Sequence, residues 1–304
     1  MISVENLIKK YGEVEALKGI NFEVEKGQLY GLIGPDGAGK TSLFRILTSL
    51  LKPTSGKARL SGFDSVDDYK EIRKIVGYMP ERFSLYMDLT VEENLKFFAT
   101  VFHTTIEENY HLIEDIYQML EPFKHRRAGD LSGGMKQKLA LSCALIHKPE
   151  ILLLDEPTTG VDPVSRKDFW DILKRLQKTG LTTLVSTPFM EDAELCDKVA
   201  LIQKGAILKI DSPQNITADY PYQLWKVVTD NNYRTFKILD KFTDKASAFS
   251  FGNSVHLSTT HEIPKQNIEK FLHTQGVKIK SIELIKAHIE DVFMELMSKE
   301  ENLS

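Results

Sequence analysis

The alternation of apolar and polar positions predicts short strands at the start of the chain. Val4, Leu7 and Ile8 precede a turn at Tyr11-Gly12, and residues 16–24 alternate as a half-buried strand that stops at Lys26-Gly27. Residues 29–33 are an uninterrupted apolar run bounded by turn formers, the pattern of a strand buried on both faces. A glycine-rich turn follows. From Thr41 the spacing becomes helical, with Leu43, Leu47, Leu50 and Leu51 in phase. Short strands are predicted at 57–60 and 75–79, with a charged helix near 67–74 between them. Over 90–123 the positions of Val91, Leu95, Phe98, Leu112, Ile116 and Leu120 predict helix, and Thr90 with Glu93 reads as a capping box. Ser132 is placed to cap a further helix that runs to about His147 and stops at Lys148-Pro149. Residues 151–154 form a second fully apolar strand. Short strands follow at 182–186 and 199–203, and 206–210 pairs with the latter across Lys204-Gly205.

Beyond Ser212-Pro213 the pattern changes. A strand at 224–228, a helix at 233–242, a hairpin around Gly252-Asn253, a helix at 264–272 and a strand at 277–284 alternate as in a small α+β domain. The last helix carries Ile289, Val292, Phe293, Leu296 and Met297 on one face, a stripe that can dock on a membrane or partner and more often packs onto its own domain. The expected organisation is an α/β core over residues 1–215, a helical subdomain at about 90–147, and an α+β accessory domain over 216–304.

Composition narrows the function classes. The 304 residues carry a formal net charge of −4, so the basic footprint of a nucleic-acid binder is missing and no nucleic-acid partner is expected. Two cysteines, Cys143 and Cys196, suggest no disulfide framework and point to a reduced, cytoplasmic compartment. No apolar stretch approaches the ~20 residues that span a bilayer. Any membrane role is therefore peripheral, through a partner.

The chemistry is concentrated in three stretches. Gly34-Pro35-Asp36-Gly37-Ala38-Gly39-Lys40-Thr41 follows a strand and opens a helix, the setting a phosphate-binding loop requires. Its glycines let successive backbone N–H groups turn inward, and the helix start, which includes Ser42, adds partial positive charge. Lys40 is placed to reach the β- and γ-phosphates of a nucleoside triphosphate, and the Thr41 hydroxyl to ligate Mg²⁺. Asp155-Glu156 ends the second buried strand, where ligands of open α/β sheets bind. Asp155 suits the Mg²⁺ shell and Glu156 a general base for the attacking water. Ser132, Gly133 and Gly134 leave N–H groups open for an anion at a helix start. Tyr11 is the exposed aromatic nearest the loop in sequence and can stack on a base.

Together these stretches resemble the ATP-binding subunits of ABC transporters over roughly residues 2–215. Residues 34–41 resemble the Walker A loop, LSGGMKQ at 131–137 the ABC signature, and ILLLDE at 151–156 Walker B with its glutamate. Gly160-Val161-Asp162 falls where the family has its D-loop, and Tyr11 where it has an adenine-stacking aromatic. The resemblance implies an ABC-type P-loop NTPase core with an antiparallel β subdomain and a helical subdomain. It implies ATP and Mg²⁺ as ligands, and head-to-tail dimers in which Ser132, Gly133 and Gly134 grip the γ-phosphate on the partner's loop. It also implies transmembrane permease subunits, contacted through the segment around 80–86, which hold the chain at the inner face of the cell membrane. Glu290-Asp291-Val292-Phe293 resembles the end of ATP-binding subunits of ABC-2-type exporters, which favours export.

Two positions depart from the family pattern. Glu81 replaces the usual glutamine; it can ligate metal but cannot donate an amide hydrogen bond, and it adds a third carboxylate beside Asp155 and Glu156. Ser186-Thr187-Pro188 stands where a switch histidine is normal, and no histidine occurs between His147 and His256. Proline supplies neither a side-chain donor nor an N–H. The chain's own site therefore reads as degenerate while the signature it offers is intact. Asp36, where asparagine is common, is a milder change expected to face solvent. A heterodimer with a second, complete ATP-binding subunit is favoured slightly over a homodimer. Readings of another class are a soluble ABC ATPase acting on ribosomes or nucleic acid, and a regulatory ATP-binding subunit with negligible hydrolysis.

Overall fold

The computed structural model describes residues 1–82 and 84–303, with side chains as far as Lys299. The chain divides into two compact units, Met1–Ser212 and Pro213–Ser304.

In the first unit β1 (Ile2–Tyr11) and β2 (Val14–Val24) form a hairpin, followed by β3 (Leu29–Ile33) and α1 (Lys40–Leu47). After β4 (Ser55–Leu60) and β5 (Phe63–Asp64) come α2 (Tyr69–Ile75) and β6 (Val76–Met79). A helical insert follows: α3 (Val91–Val101), α4 (Ile106–Tyr117) and α5 (Gly133–Leu145). The unit closes with β7 (Ile151–Asp155), α6 (Pro163–Lys178), β8 (Thr182–Thr187), β9 (Lys198–Gln203) and β10 (Ala206–Asp211). One antiparallel sheet runs β2-β1-β4-β5, and a six-stranded sheet runs β10-β9-β3-β8-β7-β6. All pairings in the larger sheet are parallel except β10 with β9. Every residue of β3, β7 and β8 is buried, which is why these strands read as continuous runs without alternation. Leu17, Tyr30, Leu43, Phe44, Leu153 and Leu184 meet in the core between the layers.

Three local expectations differ from the structure. α1 ends at Leu47; Ser49 has φ +58 and Leu50 is 59% exposed, so Leu50 and Leu51 lie beyond the helix although they keep its spacing. The run over 90–123 is two helices, because Thr105 and Glu108 form a second capping box that restarts the chain after His103 at φ +57. Residues 163–178, which the strand-centred pattern passes over, form the long helix α6. Asp162 caps it and Pro163 occupies its first turn, a start signal in plain view.

The insert packs α3 and α4 against α5. Asn94, fully buried on α3, accepts from Tyr86 N–H at 2.9 Å and donates to the carbonyls of Tyr86, Leu89 and Thr90, fixing the loop before the helix. His147, just past α5, donates from Nε2 to the Val76 carbonyl at 3.1 Å and stacks on Phe102 at 3.8 Å.

The second unit contains α7 (Pro213–Ala218), β11 (Gln223–Thr229), α8 (Asn232–Leu239), β12 (Lys245–Phe251), β13 (Ser254–Thr259), α9 (Lys265–Thr274), β14 (Ile279–Ile285) and α10 (Ile289–Leu303). Its antiparallel sheet runs β12-β13-β11-β14. Trp225, Val227, Val255 and Leu257 pack with Leu239 of α8 and Ile268 and Leu272 of α9. Strand alternation puts His256 and Ser258 on the other face, which α10 covers. There Asp291 accepts from His256 Nδ1 at 2.6 Å and Ser247 donates to Glu295 at 2.7 Å, so α10 is seated by polar contacts beside its buried Ile289, Val292 and Phe293.

Burial holds the His147 imidazole below its ordinary value, against the Val76 hydrogen bond that favours the cation. The unfolded imidazole takes a proton near 6.5 and the folded one only below that, so the unfolded chain binds more protons as the pH drops. This contribution to stability is complete above about pH 6.5 and is lost as the pH falls toward the folded value. The gap in unfolding free energy between the wild type and His147→Gln should therefore narrow between about pH 7.5 and about pH 5.5 in urea titrations. A constant gap would show that His147 stays uncoupled from the proton.

Candidate functional site

The site is built at the carboxyl ends of β3, β8 and β7, which are neighbours in that order. The parallel register sets Ile33 beside Thr187 and Ser186 beside Asp155. Each strand therefore delivers its polar end at the same level.

After β3 the chain must turn tightly over β9 and the β1–β2 layer. A Cβ at Gly34 would strike the Ile202 carbonyl oxygen, and one at Gly39 the Ala16 carbonyl oxygen, with Gly39 also at φ +104. α1 starts from Gly39 with no side-chain cap, which leaves its first N–H groups available. Pro35 is half-buried, Asp36 and Gly37 face solvent, and Ala38 is buried. Lys40 is 3% exposed, and its ammonium donates to Gly34 O at 2.7 Å and Pro35 O at 2.9 Å and pairs with Glu156 Oε1 at 3.0 Å. Ser42 Oγ lies 3.3 Å from the Tyr11 hydroxyl, so the aromatic is tethered to the start of α1 while Lys9 stands over its ring at 5.0 Å.

Asp155 is fully buried at the end of β7 and accepts from Ser186 Oγ at 2.7 Å. Burial raises its pKa above the usual carboxylate range; the nearby Ser186 and Thr41 hydroxyls oppose this, and the charges of Glu156 and Glu81 add to it. Glu156 sits at φ +50, and its N–H donates to Ser186 Oγ at 2.9 Å and Ser186 O at 3.2 Å. Its Oε2 accepts from Thr159 at 3.2 Å. Glu81 is exposed and acts on Asp155 through its charge. Phe83, in the segment around 80–86, lies outside the described residues.

Among the described residues no three His, Cys, Asp or Glu side chains gather as a cation site. Mg²⁺ does not need one, since it keeps several waters and takes one or two carboxylates plus substrate phosphates. The buried Asp155 Oδ2 has no hydrogen-bond partner, and the Thr41 hydroxyl acts on the same carboxyl. These donors fit the ion.

Past β8 the chain is held from within. Thr187 Oγ1 donates to Asp192 at 2.8 Å and accepts from Phe189 N–H at 3.1 Å. Arg166 of α6 grips the same carboxylate through Nε at 3.1 Å and Nη2 at 2.8 Å and lies over the Phe189 ring at 4.0 Å. Pro188, half-buried, sits inside this arrangement. Burial raises Asp192 above the carboxylate range, with Thr187 and Arg166 opposing.

Ser132 caps α5 by accepting from Met135 N–H at 3.3 Å, and Ser132 and Gly133 are exposed. Gly134 is buried, because a Cβ there would strike Ser165 of α6. Asp162 accepts from the N–H groups of Val164 at 3.1 Å and Ser165 at 3.0 Å. The starts of α5 and α6 are thus one packed piece. None of Ser132, Gly133, Gly134 and Asp162 bonds to Lys40, Thr41, Asp155 or Glu156 among the described residues. Ser186, Ser165 and the Arg166–Asp192 pair were missed by sequence reasoning. The signals were the polar residue inside a buried strand and the Asp162-Pro163 helix start.

A family model described as ABC transporter matches residues 17–159. The chain is 40% identical over 223 residues to the probable multidrug ABC transporter ATP-binding protein YbhF of Escherichia coli (strain K12), covering 72% of this chain and 38% of that protein. Nod factor export ATP-binding protein I of Burkholderia lata is 38% identical over 215 residues, covering 70% and 71%. The daunorubicin resistance ATP-binding protein DrrA2 of Streptomyces coeruleorubidus is 31% identical over 306 residues, covering 97% and 94%. Among solved structures, a dimeric ATP-binding cassette in a post-hydrolysis state bound to ADP and Pi matches with a TM-score of 0.63 and 28% identity, over 70% of this chain and 98% of that one. With the glycine loop, Asp155-Glu156 and the α5 start arranged as described, these likenesses show that the chain belongs to the ATP-binding proteins of the ABC transporter family.

Proposed function

We propose that this chain binds Mg·ATP on residues 34–42 and hydrolyses it to drive export through a separate membrane permease. The observation that carries this reading is the convergence of Lys40, Thr41, Asp155 and Glu156 at neighbouring strand ends, with Asp155 Oδ2 unpartnered. Backbone N–H groups of the loop and the Lys40 ammonium bind the phosphates, and Tyr11 stacks on the base. Thr41 and Asp155, with Glu81 nearby, would hold Mg²⁺, which would neutralise charge on the β- and γ-phosphates. Glu156 takes the proton of the attacking water. Ser132, Gly133 and Gly134, with Asp162 behind them, complete the site of a second ATP-binding subunit.

Export is supported by the names of the relatives, which include exporters and resistance proteins. No helix among the described residues is long and apolar enough to cross a membrane. A groove of about 530 Å³ between the core and the insert, lined by Leu85, Phe98, Val101, Phe102 and His147 among others, supports docking of a short permease helix. Pro188 favours a second reading: with Thr187 committed to Asp192, the end of β8 offers no γ-phosphate sensor, and the chain is the slow half of a heterodimer.

In the first reading, Lys40→Ala weakens Mg·ATP binding about tenfold or more, and Glu156→Gln lowers turnover by about 100-fold while retaining binding. Hydrolysis by the purified chain no faster than the Glu156→Gln blank, with binding intact, selects the second reading. Val101→Asp, on the 52% exposed rim of the groove, should cut recovery of a multi-span membrane protein from detergent extracts about tenfold without changing Mg·ATP affinity. Undiminished recovery would move the docking surface elsewhere.

A further inference from the structure

Ser186 lies at the centre of the acidic end of the sheet. It is fully buried on β8, between the strand of the glycine loop and the strand of Asp155. Its hydroxyl has one proton and two partners. Ionised Asp155 can only accept and the Glu156 N–H can only donate, so the order is fixed: Glu156 N–H to Ser186 Oγ at 2.9 Å, then Ser186 O–H to Asp155 Oδ1 at 2.7 Å. One side chain thus holds both the metal carboxylate and the backbone of the general base. Because Oδ1 is occupied by Ser186, the oxygen left without a partner is Oδ2.

We infer that Ser186 is a positioning residue for Mg²⁺, clamping the Asp155 carboxylate so that Oδ2 is presented to the ion while Glu156 is held in its turn. The inference rests on Asp155 being a Mg²⁺ ligand. Groups behind a ligating carboxylate set its orientation and hence metal affinity, typically by 10–100-fold. The turn does not depend on the hydroxyl alone, since Glu156 N–H also bonds to Ser186 O at 3.2 Å, a backbone contact that substitution leaves in place. The role is separable from simple satisfaction of a buried group, because a purely structural serine would affect nucleotide binding equally with and without metal.

The test is the affinity of the full chain for a fluorescent ATP analogue, titrated with free Mg²⁺ and compared with EDTA. For Ser186→Ala the Mg²⁺ midpoint of the metal-dependent gain in affinity should rise about tenfold. Affinity in EDTA should stay within about twofold of wild type. Ser186→Thr keeps the hydroxyl on a side chain suited to a strand and should restore the midpoint. Ser186→Cys, a weak donor of similar shape, should shift it in the alanine direction, and it replaces the alanine variant if that does not fold. In an Asp155→Asn background the alanine change should add nothing, since both act through one carboxylate. An unchanged midpoint, or equal losses with and without Mg²⁺, would overturn the proposal. A wild type with no Mg²⁺-dependent gain, or an Asp155→Asn variant with a normal midpoint, would overturn the underlying site reading as well, and so tells the two failures apart.

Discussion

A buried ammonium is the constraint on which this site depends. Lys40 is shielded from water and must find three acceptors within the protein, and it finds Gly34 O, Pro35 O and Glu156 Oε1. Leaving such a charge uncompensated costs about 3–5 kcal/mol. Two of the acceptors belong to the loop itself, so the loop must curl until its carbonyls face its own lysine. That curl presses Gly34 against β9 and Gly39 against Ala16, where only glycine fits. The third acceptor comes from the acidic end of β7, two strands away. The ion pair therefore fixes the distance between the glycine loop and Glu156, and the strand order places β8 between them with Ser186 in reach of both acidic residues.

The end of β8 divides its polar groups sharply. Ser186 faces the acidic residues of the site, while Thr187, one position on, points to Asp192. Asp192 is held by Arg166, and Arg166 is stacked on Phe189, so residues 187–192 form a closed arrangement. Pro188 fits it without a donor of its own. Thr187 both donates and accepts within this arrangement and is committed there.

Much of this was legible in the sequence wherever one local signal was sufficient. The glycine loop, the capping box at Thr90, the hairpin at Gly252-Asn253 and the apolar stripe of the last helix each declare themselves within a few residues. Interactions set by register did not. Ser186 meets Asp155 from 31 residues away, and Arg166 meets Asp192 from 26, through strand order and helix packing that no periodicity encodes. Spacing also misled: Leu50 and Leu51 keep the helical phase after the helix has ended, and the α3–α4 break hides inside an unbroken apolar rhythm. Periodicity reports which face a residue prefers and carries no information on whether the backbone between two such residues stays helical. Glu295 and Asp291 show the same limit in the second unit, because they are buried by partners on β12 and β13.

The two halves of the nucleotide chemistry differ in how they are held. The chain's own loop is tied to Glu156 by a buried ion pair, beside an Asp155 whose pKa burial raises, with the charges of Glu156 and Glu81 adding to it. At the α5 start the exposed Ser132 and Gly133 rest on Gly134, which is packed against Ser165, whose N–H is in turn taken by Asp162, while Lys136 of the first turn donates to Gly129 O. These contacts preorganise the helix start to meet an anion, whereas in the proposed site the Lys40 contacts would be redistributed when phosphates arrive. Glu81 and the Pro188 turn both lie beside the acidic strand ends, and the Pro188 turn is held to α6 through Arg166. In the proposed reading, such alterations would change the site this chain carries and spare the half it would lend to a partner, the asymmetry a pair of unequal subunits would exploit.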